Sequence, residues 1–213
     1  MDTELATSIL HQKEPSELYD LTQPALENAE LRDLLVEGCF AKDETYRYNC
    51  VRVFFRALEQ QPALFYPYWD RFAGMIASPN GFFRSSAVQT IAFLTAVDDG
   101  QRLDAIFEDY LRMLNDEKIM VARYFVQSIH LIPKARPDLK QKIIACLLDV
   151  ENTHHASSRK NLLKADIIGA FDQLFEVAST QEQKNILAFV GKEQTSESPS
   201  TRKTAKAFLK HNR

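Results

Sequence analysis

The sequence predicts an all-α superhelix, a solenoid of about five antiparallel helix pairs in which each pair stacks on the next. Three observations carry the prediction. Basic residues stand at Arg47, Arg84, Arg123, Lys164 and Arg202, separated by 37, 39, 41 and 38 residues. Each is followed three residues later by a small or apolar residue (Cys50, Ala87, Val126, Ile167, Ala205) and seven residues later by Phe54, Ile91, His130, Phe171 or Leu209. A near-constant period of about 40 residues with a helix at the same phase marks a helical array. Gly and Pro are scarce, at 6 and 8 residues, which disfavours a β-sandwich or barrel built on many tight turns.

The elements follow in order. Residues 3–13 carry Leu5, Ile9 and Leu10 on one side of a short helix stopped by Pro15, and Ser16 can cap a turn through Leu18 and Tyr19. Thr22-Gln23-Pro24 is a favourable helix start because proline is tolerated in the first turn. Residues 29–40 place Leu31, Leu34, Leu35 and Cys39 on one helical face. After the turn Ala41-Lys42-Asp43 comes the first of the recurring second helices, Glu44–Gln60, ended by Pro62. The next pair is Leu64–Ala77, interrupted or restarted at Pro67, and Phe82–Val97, joined by Ser78-Pro79-Asn80-Gly81, the strongest turn signal in the chain. The third pair is Gln101–Leu114 and Lys118–Ile132, and the fourth is Asp138–Val150 and Arg159–Val177 after a polar loop at 151–158. The last is Thr180–Gly191 and Ser200–His211. The whole chain is expected to form one solenoid domain, with 1–28 as N-terminal capping helices and 29–211 as the repeats.

Composition is that of an ordinary globular chain, with 45% hydrophobic and 26% charged residues. Cys39, Cys50 and Cys146 are odd in number, widely spaced and set in apolar patterns, so they read as reduced core residues, not as a disulfide framework or zinc site. No apolar run reaches the roughly 18 residues of a membrane span. Met1-Asp2-Thr3-Glu4-Leu5 lacks the basic start and apolar core of a signal peptide, so a cytoplasmic location is expected. The net charge of −3 is unevenly spread: residues 1–44 hold eleven acids and three bases, while 199–213 hold five bases and no acid. That asymmetry fits two solvated ends of opposite sign, or a basic tail that contacts an acidic partner or the acidic end of another copy. A monomer or weakly associating chain is expected.

The helix, short turn containing Asp or Asn, and second helix with Arg-x-x-Ala-x-x-x-apolar (Arg84 to Ile91 fits best) resemble HEAT repeats of the HEAT/armadillo class over about residues 29–211. HEAT repeats usually set an Asp a few residues before the Arg. Here Asp43 and Asn80 stand four before and Asp116 seven before, and the last two units have no equivalent, so a continuous side-chain ladder is not expected. The resemblance implies that the second helices line the concave face, where such proteins most often meet a partner.

The five recurring basic residues stand near helix starts, against the macrodipole, and are expected to hold turn carbonyls and carboxylates between repeats. Positions one and five after each basic residue lie a turn apart on one side of the second helix: Tyr48 and Arg52 (with Arg56), Ser85 and Gln89, Tyr124 and Ser128, Ala165 and Gly169. Through the first three units this mixture suits protein recognition, so Tyr48, Arg52, Arg56, Ser85, Gln89, Tyr124 and Ser128 are the candidate binding residues. Phe65, Tyr66, Tyr68, Trp69 and Phe72 form either a contact patch or, as the preferred reading, a plug between repeats. Glu151, His154 and His155 lack metal-ligand spacing, and His130 occupies an apolar register. No Walker loop, GxGxxG, GxSxG or CxxC occurs, so neither catalysis nor a cofactor or metal is expected. The expected function is a non-catalytic protein-interaction scaffold with a protein partner. The alternative is a nucleic-acid binder similar to HEAT-like alkylpurine DNA glycosylases, suggested by Arg52, Arg56 and Trp69 but opposed by the acidic balance. Similarity to HEAT-repeat bilin lyases is a weaker third reading.

Overall fold

The computed structural model describes residues 2–212, and among them the regular structure is entirely helical. The chain forms two compact units, one running to Gly74 and the other starting at Met75.

In the first unit, Asp2 opens α1 (Thr3–Leu10) by accepting from the Glu4 amide, and Ala6, Ile9 and Leu10 form its buried face. A 3₁₀ turn, Leu18–Leu21, leads into α2 (Thr22–Glu27). Asn28 caps α3 (Ala29–Gly38) at 2.8 Å through the Glu30 amide, and Asp43 caps α4 (Glu44–Gln60) at 2.7 Å through the Tyr46 amide. Such side-chain oxygens satisfy amides that the helix cannot, worth about 1 kcal/mol each. α4 packs on α2 and α3 through Cys50, Val53, Phe54, Ala57 and Leu58. Its buried Asn49 donates to the Leu10 and Gln12 carbonyls at 3.0 and 2.8 Å, so it closes the C-terminal end of α1.

The helix expected over 64–77 is divided. Pro67 lacks the amide that an α-helical ladder would use, and the chain runs as a 3₁₀ stretch over Pro62–Tyr68 before α5 (Trp69–Met75). Phe65, Trp69 and Phe72 enter the core, whereas Tyr66 and Tyr68 stay half-buried. Phe54 stacks on Phe72 with ring centroids 5.0 Å apart and meets Phe65 edge-on at 5.3 Å. Aromatic packing is the centre of this unit.

Gly38 ends α3 where it crosses α4. A Cβ there would overlap the Cys50 sulfur and stand 2.9 Å from the Cys50 Cβ. Gly38→Ala is therefore expected to destabilise by roughly 1–3 kcal/mol, the usual cost of overpacking a filled core. Cys50→Ala in the same chain should recover part of that loss in chemical denaturation. Equal midpoints for wild type and Gly38→Ala would show that the two helices can separate without cost.

The second unit holds the remaining pairs. Asn80 caps α6 (Gly81–Leu94) through the Phe82 amide at 2.9 Å. The third pair differs from its prediction: Gln101–Leu114 is broken into a 3₁₀ turn (Arg102–Ala105), α7 (Phe107–Leu111) and another 3₁₀ turn (Arg112–Asn115). Gln101 adopts φ 52°, a left-handed conformation, and the Asp98 carboxylate accepts from the Arg102 and Leu103 amides, both at 2.9 Å. The local turn chemistry wins over the helical period. The chain continues through α8 (Ile119–Ile129), α9 (Ile132–Ala135), α10 (Lys140–Leu148), α11 (Ser157–Leu174), α12 (Thr180–Glu193) and α13 (Pro199–His211). Second helices stack in sequence, α6 on α8, α8 on α11 and α11 on α13, while α10 packs on α12 in the other layer. Each repeat thus shares an apolar face with its neighbours, which is how a repeat too small to bury its own core becomes stable.

Candidate functional site

The recurring basic residues have a common task. Arg47 donates to the Ala41 carbonyl at 2.8 Å, Arg84 to Ser78 at 2.7 Å, and Arg202 to Ser196 at 2.6 Å. Each acceptor lies six residues upstream, in the segment leading into the same helix. These are the carbonyls that a helix end or turn leaves without an internal partner. In the second unit Arg84 also reaches the next repeat, as do Arg123 and Lys164. Arg84 grips Asp116 through Nε and Nη2 at 2.7 and 2.8 Å, Arg123 bonds Asp166 at 2.7 Å, and Lys164 meets Glu193 at 2.9 Å. The acids are not at the turn position that HEAT repeats favour. Asp116 lies in a turn, Asp166 inside α11, and Glu193 at the end of α12. The function of the ladder is kept with acids from different registers, which sequence spacing could not reveal.

The candidate binding residues fall into two environments. α6 has small or apolar residues on nearly every side and is buried from Arg84 to Val88, so Ser85 is only 7% exposed. Ser128 is 5% exposed and donates to the Tyr124 carbonyl at 2.8 Å. Gln89 is half-buried and turns its amide onto the Ser85 carbonyl of its own helix, and Tyr124 is half-buried. In the second unit this strip therefore presents mainly Gln89 and Tyr124.

The first unit presents more. The inward residues Cys50, Val53, Phe54, Ala57 and Leu58 force Tyr48, Arg52 and Arg56, spaced by four, onto the opposite side of α4. Leu18 and Leu21 are buried, which turns Tyr19 outward beside them. Arg52 donates from Nε and Nη2 to the Tyr19 hydroxyl at 3.2 and 2.9 Å, and its guanidinium carbon lies 5.1 Å from the Tyr19 ring centre and 5.9 Å from that of Tyr48. Arg56 lies 5.9 Å from the Tyr19 ring. Tyr19 and Tyr48 are 50% and 58% exposed. Tyr19 was not among the sequence candidates, since its neighbourhood depends on α4 folding back against a turn 33 residues away.

The other reactive side chains are engaged in structure. The His154 amide bonds Asn115 Oδ1 at 2.8 Å and His155 Nε2 meets the Leu114 carbonyl at 3.2 Å, so the 151–158 loop docks on the 3₁₀ turn Arg112–Asn115 of the preceding repeat. Burial lowers the pKa of His155, and also that of His130, where Lys134 adds to the effect. Burial raises all three thiols, Cys50 and Cys146 to about 12. These sulfurs stay protonated near neutrality and are poor nucleophiles. Among the described residues no cluster of His, Cys, Asp and Glu could hold a metal ion, and no helix is long and apolar enough to cross a membrane.

A designed armadillo repeat protein superposes on the full length of both chains with a TM-score of 0.55 at 16% identity. The chain has an armadillo/HEAT-like repeat fold. No protein-family model matches the sequence, and no curated protein does. Within the armadillo-like fold the basic residues Arg47, Arg84, Arg123, Lys164 and Arg202 belong to the joints between elements. In the Tyr19–Tyr48–Arg52–Arg56 group, Tyr19, Tyr48 and Arg56 are exposed and Arg52 is half-buried, tied to Tyr19.

Proposed function

We propose that the protein is a non-catalytic interaction scaffold that receives a protein partner on its second helices, with Tyr48, Arg52 and Arg56 as the principal contacts and Gln89 and Tyr124 as secondary ones. The observation that carries this reading is the exposed tyrosine–arginine group on α4. Tyr and Arg are the residue types that dominate binding energy at protein interfaces, and here they are preordered by their own contacts. Repeat folds of this kind commonly serve as binding scaffolds.

Affinity capture from a native lysate tests it, with wild type compared against Tyr48→Ala/Arg52→Ala and against Gln89→Ala/Tyr124→Ala. The first variant is expected to lose most of the captured partner and the second a smaller part. Hot-spot truncations cost about 2 kcal/mol or more, roughly 30-fold in affinity. Identical capture by all three chains would remove the second-helix surface from consideration.

A further inference from the structure

The tyrosine–arginine group on α4 also carries information about its ligand. Arg52 and Arg56 make no ion pair among the described residues, although residues 1–74 hold thirteen acids against seven bases. Asp20 follows Tyr19 directly and Glu59 lies one turn beyond Arg56, yet neither carboxylate reaches the arginines. Two guanidinium groups thus stand unneutralised in an acidic unit. The Tyr19 hydroxyl occupies the Nε–Nη2 edge of Arg52, which leaves the Nη1–Nη2 end of this half-buried side chain without a hydrogen-bond partner among the described residues, a fork that matches a carboxylate. Contact with the Tyr19 and Tyr48 rings holds that fork in place before anything binds, so less side-chain freedom is lost on association.

Resting on the scaffold reading above, we propose that this group binds an extended acidic peptide segment of the form acid-x-acid, with one carboxylate on Arg52 and the other on Arg56. The spacing agrees. Residues four apart on a helix face are about 6 Å apart, and alternate residues of an extended strand are about 6.8 Å apart and point the same way. The exposed tyrosine faces supply an apolar flank for neighbouring side chains of the peptide. A nucleic-acid strand would bring a row of phosphates into a unit that is net negative, and two arginines do not offset that repulsion. Two carboxylates meet two guanidinium groups one for one.

The test titrates the full-length protein with a short peptide containing Glu-x-Glu with an aromatic residue two positions before or after the pair, where its side chain shares the face of the two carboxylates. Its Gln-x-Gln and Lys-x-Lys counterparts, and a single-stranded oligonucleotide of about ten nucleotides, serve as controls; the readout is the side-chain Nε–H resonances of Arg52 and Arg56. The Glu-x-Glu peptide is expected to bind with a Kd of roughly 0.1–1 mM and to shift both resonances. The Gln-x-Gln peptide, and the Arg52→Gln and Arg56→Gln chains, should each bind at least about tenfold more weakly. Tyr19→Phe should weaken binding several-fold without lowering the melting temperature, which separates bracing of Arg52 from support of the fold. Added salt should weaken the interaction, as expected for exposed charges.

Equal affinity for Glu-x-Glu and Gln-x-Gln, full retention of binding in Arg52→Gln/Arg56→Gln, or no saturation up to a few millimolar would each overturn the acidic-peptide proposal. Tight binding of the Lys-x-Lys or Gln-x-Gln peptide, abolished by Tyr48→Ala, would overturn it and leave the scaffold reading standing. Preferential binding of the oligonucleotide would overturn both.

Discussion

Arg84→Ala is expected to lower the stability of the second unit by about 3–5 kcal/mol, the range for removing one partner from a buried ion pair. The residue is 6% exposed and Asp116 8%. Loss of the guanidinium leaves the Asp116 carboxylate buried opposite no charge and removes the donor to the Ser78 carbonyl. Arg84→Lys should recover only part of the loss, because one ammonium cannot reproduce the paired bonds from Nε and Nη2. Asp116→Asn in the Arg84→Ala chain should return some stability by removing the uncompensated charge, though Asp116 also accepts from the Lys118 amide at 2.7 Å. Urea unfolding followed by far-ultraviolet circular dichroism measures all four chains. A loss below about 1 kcal/mol for Arg84→Ala would place this pair with ordinary surface salt bridges.

Phe54→Ala should cost the first unit about 3–5 kcal/mol, the usual figure for emptying a buried aromatic site. Phe54 is fully buried and touches the Phe65 and Phe72 rings, so truncation opens a cavity on several sides at once. Phe54→Leu fills most of the volume and should cost markedly less. The only tryptophan, Trp69, is 2% exposed in the same unit, so its fluorescence reports this loss directly. If Trp69 fluorescence shows no earlier unfolding in Phe54→Ala, the ring cluster is not the centre of the unit.

Much of the architecture was legible in the chain. The period from Arg47 to Arg202 located every second helix, because burial at the third following position in all five units, and apolar burial at the seventh in every unit but that of His130, repeats in register with the helix turn. First helices were harder to read. Pro67 and the left-handed Gln101 divide two of them, and short-range turn chemistry is only weakly marked in a sequence whose apolar pattern runs on past the break. Side-chain partners were least legible. The candidate strip treated Ser85 like Tyr48, but α6 is enclosed on nearly all sides whereas α4 keeps one side free. Nothing local in the sequence ties Tyr19 to Arg52, 33 residues away.

The ladder of basic residues also sets where the second unit could be shortened. Arg84, Arg123 and Lys164 each have an acid farther along the chain, at Asp116, Asp166 and Glu193. A truncation from the C-terminal side that stops between Arg84 or Arg123 and its acid strands a cation at a packed joint, whereas Lys164 would keep Glu151. Ending after Asp116 or Glu193 leaves the preceding joint electrically complete; ending after Asp166 completes the Arg123 pair but divides α11 and removes Glu193 from Lys164. Repeat boundaries drawn by helix pairs and boundaries drawn by charge therefore do not coincide, and a sound fragment has to respect both.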